Sequence, residues 1–84
     1  MKITIENTTK IVMLKIASAE VPARVWQGET EDGVPVQCFI TRIAPEIPES
    51  DPHIDERTAA FERELKRCAT PRPSVEAIPL RLIL

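Results

Sequence analysis

The chain has 84 residues, of which 43% are apolar, 29% charged and 4% aromatic, with a formal net charge of −2. At this length it is one small domain, whose thin core a second subunit would thicken. No apolar run approaches the roughly 18 residues of a membrane span. Two glycines exclude the usual Gly-rich phosphate loops, and one His with two Cys excludes a self-contained zinc finger.

In chain order, residues 2–6 alternate apolar and polar, the pattern of a half-buried strand, and Asn7-Thr8-Thr9 reads as a turn. Residues 10–16 are β-branched and apolar, short enough for a second strand. Residues 21–43 read as a hairpin. Val21, Ala23 and Val25 share one strand face, and Arg24 and Trp26 the other. The loop from Gly28 to Gly33 carries an Asp-Gly pair suited to a positive-φ turn. Pro22 and Pro35 donate no ladder hydrogen bond and belong at strand starts or outward edges.

Residues 44–51 form an acidic connector broken by Pro45 and Pro48. Asp51-Pro52 opens a helix over about residues 52–69, with Ile54, Thr58, Phe61, Leu65 and Cys68 as one apolar stripe. Glu62 and Lys66 stand in the favourable i,i+4 order. Pro71 and Pro73 end the helix, and residues 75–84 alternate again as a C-terminal strand, with Pro79 on its polar face. The expected fold is α+β in β-β-β-β-α-β order. It is a mostly antiparallel sheet of four to five strands with one amphipathic helix across a face.

Chemistry-bearing residues are sparse. His53, with Asp51, Asp55 and Glu56, has metal-ligand side chains, but acidic residues at a helix start are ordinary capping chemistry. Glu29, Glu31 and Asp32 sit on a hairpin tip without the cleft a carboxylate hydrolase needs. No catalytic, cofactor-binding or metal residue is assigned, and a non-enzymatic protein is expected. Residues 28–56 carry eight acidic side chains against Arg42, while both flanks are net basic. Arg63, Lys66 and Arg67 share one side of the helix and form the main basic patch. Cys38 and Cys68 read as small buried hydrophobes of a reducing, cytoplasmic protein. The apolar stretch after Lys10 imitates a signal peptide ending in Ala-Ser-Ala, but Lys15 interrupts it.

The run from Ala23 to Ile43, with Glu76-Ala77-Ile78-Pro79-Leu80-Arg81, resembles small uncharacterised proteins encoded by tailed phages and prophages. The resemblance implies an accessory protein that acts by stoichiometric binding to a host or anti-phage defence component. It transfers no site residue. The expected partner surface is Arg24, Trp26, Glu29, Glu31 and Asp32, because Trp and Arg dominate binding hot spots and carboxylates steer a basic partner. Two alternatives are a small nucleic-acid-binding regulator using the basic helix and a dimeric sponge for a nucleotide-like ligand. A homodimer is expected, since the apolar residues 80–84 suit a covered edge.

Overall fold

The computed structural model describes residues 1–76. Three strands, β1 (Ile3–Ile16), β2 (Ala19–Thr30) and β3 (Pro35–Ile40), are followed by helix α1 (Ile54–Lys66) and a short helical turn, α2 (Pro73–Glu76). The strands form one antiparallel sheet in the order β1-β2-β3. The class is α+β, as the residue patterning implies.

The strand count differs from expectation. Residues 2–6 and 10–16 belong to one long strand, and Asn7-Thr8-Thr9 does not reverse the chain. Asn7 pairs with Trp26 and Ile11 with Arg24, so Thr8, Thr9 and Lys10 bulge opposite the single residue Val25. Side chains that bond nearby backbone can serve a bulge as readily as a turn. Thr8 Oγ1 donates to the Val25 carbonyl at 2.6 Å and accepts from the Lys10 N–H at 3.2 Å. Asn7 Nδ2 donates to the Leu65 carbonyl at 2.8 Å, and Asn7 and Thr8 are both buried.

Ile16 pairs with Ala19 across a two-residue turn in which Ala17 takes φ 57°. The second hairpin is tighter than expected. β2 continues through Gly28 to Thr30, so the tip is only Glu31 to Val34. There Gly33, at φ 81°, is the residue with positive φ. Thr30 N–H donates to the Val34 carbonyl at 2.9 Å, Gly33 N–H to the Thr30 carbonyl at 3.0 Å, and Val34 N–H to Thr30 Oγ1 at 3.1 Å. That is a turn followed by a left-handed glycine, as in three-residue hairpin loops. Gly28 opposes Ile5, and a Cβ there would overlap the Thr4 carbonyl.

Register divides the side chains into two faces. Ala23, Val25 and Gln27 share one face with Gln37 and Phe39; Arg24, Trp26 and Gly28 share the other with Val36, Cys38 and Ile40. Among the described residues the buried apolar side chains are Ala23, Val25 and Val75, joined by buried Asn7, Thr8 and Gln27. Polar groups therefore complete a thin core.

Helix α1 is shorter than the expected 52–69. Asp51 opens it differently, with its Oδ1 accepting from His53 N–H at 2.8 Å before the first helical residue, Ile54. Arg67 turns extended at φ −82°, ψ 101°, so Cys68 lies beyond the helix. Ile54, Thr58, Phe61 and Leu65 are half-buried, and no α1 residue is buried. Ala69 then joins the outer edge of β1 in a parallel bridge, donating to the Asn7 carbonyl at 2.8 Å and accepting from Thr9 N–H at 3.1 Å. Val75 and Glu76, the start of the expected C-terminal strand, are in α2 instead; the rest of that strand, residues 77–84, lies outside the described residues.

Candidate functional site

The five residues expected on one partner surface fall into three places. Trp26 is not beside the loop. It lies mid-strand between Asn7 and Cys38, about 16 Å from Glu31 at the usual rise of 3.3 Å per residue. Arg24 shares its face but is committed internally, its Nη1 donating to the Thr8 carbonyl at 2.7 Å and approaching Cys68 Sγ at 3.6 Å. Glu29 opposes Thr4 and Pro35, on the face of Gln27 and away from Trp26. Glu31 and Asp32 occupy the tip itself and are exposed.

The tip is nonetheless a defined object. Three hydrogen bonds around Thr30 fix its backbone, and Val34 projects from it at 55% exposure. Among the described residues the ion pairs are Arg57–Asp51 at 3.1 Å and, when the imidazole is protonated, His53–Glu56 at 3.6 Å. Glu29, Glu31 and Asp32 thus have no ion-pair partner among the described residues. Nor have Arg63 and Lys66, exposed in the last turn of α1, or Arg67, which lies past the helix as its extended C-cap and not on the helix side expected; the Glu62–Lys66 pair does not close within 4 Å. Acidic tip and basic helix end are separate patches.

Cys38 and Cys68 are free and half-buried, not fully buried. Cys68 faces polar donors, with Asn7 Nδ2 at 3.4 Å from its sulfur as well as Arg24. Among the described residues no three His, Cys, Asp or Glu side chains converge to hold a metal ion. No described helix is long and apolar enough to cross a membrane.

The most connected polar group is one that sequence reasoning passed over. Gln27 is 6% exposed; its Oε1 accepts from Arg72 N–H at 2.9 Å, and its Nε2 donates to Thr70 O at 3.3 Å and Glu6 Oε1 at 3.2 Å. One side-chain amide thus holds the chain after α1 from both sides. Gln37 Nε2 repeats the device on Ser74 O at 3.0 Å. The available signal was parity, since Gln27 continues the buried Ala23–Val25 face, and a polar residue there must find partners.

Beside this clamp is a cavity of about 330 Å³ between Glu6, Gln27, Glu29 and Arg72. Arg72 Nη2 donates to the carbonyls of Val36 at 3.3 Å and Gly28 at 3.4 Å, and its Nε is buried without a partner among the described residues. The guanidinium is directed to backbone, and two carboxylates border the space, a poor setting for a phosphate. Comparison of the chain with protein-family models, curated proteins and solved structures finds no match.

Proposed function

We propose that the protein acts by stoichiometric binding, not catalysis, and that its acidic hairpin tip meets a basic surface on a host or anti-phage defence protein in the cytoplasm. One observation carries this reading: Glu31 and Asp32 stand on a hydrogen-bonded tip, Glu29 precedes it at the end of β2, and none of the three has an ion-pair partner among the described residues. A pre-organised patch of one sign raises the encounter rate with the opposite sign and loses little entropy on docking. The resemblance of residues 23–43 to small phage proteins supplies the class of partner.

The test is the variant Glu29→Gln/Glu31→Gln/Asp32→Asn. Its stability should stay within about 0.5 kcal/mol of wild type, as for surface changes generally. Association with the partner captured from host lysate should slow by about tenfold and lose most of its salt dependence. An unchanged association rate refutes the tip as the binding surface.

A nucleic-acid reading draws on Arg63, Lys66 and Arg67, which have no ion-pair partner among the described residues. Sequence-selective mobility shifts at physiological salt, with a salt slope flattened by Arg63→Ala/Arg67→Ala, would favour it. The acidic residues from Glu46 to Glu56 lead into the same helix and oppose it. A nucleotide sponge is the weakest reading, because Glu6 and Glu29 border the cavity beside Arg72.

A further inference from the structure

β3 pairs with β2 only between Arg24 and Glu29, so residues 12–23 extend past the three-stranded base as a two-stranded arm about 17 Å long. An isolated two-stranded ribbon is marginal in water, and this one carries exposed apolar side chains on both faces, with Lys15 and Glu20 beside Met13 on one of them. Ile11 and Met13 are 54% and 56% exposed on one face, and Ile16 is 55% exposed on the other, which also carries half-buried Val12, Leu14 and Val21.

The chain's accessible surface is 6893 Å², about 1,900 Å² more than a compact monomer of 9.4 kDa exposes. With residues 77–84 counted at the full exposure of an unfolded chain, an excess of about 900 Å² still remains. A standard interface takes about 800 Å² from each partner. With Ala23, Val25 and Val75 as the buried apolar residues described, the described part of the chain leaves surface of the size that a second copy covers in a standard interface.

The edges of the arm are unequal. Its two-residue turn closes on the pair Ile16–Ala19, so by alternation Met13–Pro22 is a pair without mutual hydrogen bonds. The outward backbone groups on β1 are therefore those of Ile11, Met13 and Lys15, none of which has a partner among the described residues. Of the outward positions on β2 in the arm, Glu20 and Pro22, the second has no N–H to offer and interrupts the edge. The competent edge is β1.

We propose that two copies join through the outer edges of their β1 arms, antiparallel about a two-fold axis at Met13, into one continuous six-stranded sheet. This register sets Lys15 opposite Ile11 of the second copy and Lys10 opposite Ile16, so no like charges face each other. Edge lysines ordinarily discourage pairing; here they admit one register. The hairpin tips, at the far end of β2, stay free at opposite ends of the assembly. Self-association and tip binding can therefore fail independently.

Sedimentation equilibrium of the full chain should give a dimer at micromolar concentration. Met13→Pro removes an N–H that β2 does not use, so the hairpin survives while dimer affinity falls by at least about tenfold. Should that variant fail to fold, Met13→Cys decides. Opposed Cα atoms about 5.5 Å apart permit a disulfide, so mild oxidation should cross-link the dimer at this position, and not at Asp32→Cys or in wild type. A wild-type monomer with a folded sheet, a dimer that folded Met13→Pro leaves intact, or a Met13→Cys dimer that does not cross-link each overturns the proposal.

Discussion

The two halves of the sheet are held by different means. In the base, Asn7, Thr8, Arg24, Gln27 and Gln37 bond to backbone on other segments, tying together the sheet, the end of α1 and residues 70–74. In the arm, the β1–β2 ladder has no third strand among the described residues, and apolar side chains face outward. The difference teaches how so small a chain uses its polar residues. Where too little apolar volume exists to close a core, buried side-chain amides and hydroxyls close it by satisfying backbone groups, each contributing roughly 1 kcal/mol net but costing more if left unmatched. Where no such clamps exist among the described residues, apolar side chains stay exposed.

Breaking the base should have the largest effect. Gly28→Val drives a side chain into the Thr4 carbonyl, where strands rather than a flexible side chain must yield. A loss of about 3 kcal/mol, the upper end for overpacking, is expected. Thermal unfolding checks it. A wild-type melting temperature would mean that β1 and β2 can part at this row without penalty.

Gln27→Leu comes next. The substitution keeps the volume but strands Arg72 N–H and Thr70 C=O, for about 2 kcal/mol in urea titration. Hydrogen exchange at Arg72 should accelerate more than exchange in the arm, which separates loss of the clamp from general loosening. An unaltered exchange rate at Arg72 would contradict the assignment.

Phe61→Ala tests the helix. A fully buried Phe costs about 3–5 kcal/mol on truncation, and a half-buried one about 1–2. A loss at the upper end of the full range would mean that α1 packs more deeply on the sheet than its exposure indicates. The smallest change is expected in the arm and has the opposite sign. Ala17 holds φ 57°, a conformation that costs about 1–2 kcal/mol for a residue with a Cβ. Ala17→Gly should therefore stabilise by about 0.5 kcal/mol after the entropy of the added glycine. Destabilisation by that substitution would place the turn in a different conformation.

Much of this was legible in the residues themselves. The alternation of Val21, Ala23 and Val25, the glycine of the second hairpin and the stripe Ile54, Thr58, Phe61, Leu65 are local periodicities, and local periodicity is what a sequence states directly. Antiparallel class and helix position follow from it. Three further decisions belong to tertiary structure. Asn7-Thr8-Thr9 has the composition of a turn. It becomes a bulge because Leu65 and Val25 offer carbonyls to its side chains from distant segments. Gln27 looks like a surface residue until the chain from Thr70 to Arg72 crosses above it. The expected partner surface was adjacent in sequence, yet strand geometry sends Trp26 and Glu29 to opposite faces and spends Arg24 on Thr8. Side-chain parity can be read along one strand, but which buried polar group finds a partner depends on segments far away in the chain, and only their packing decides it.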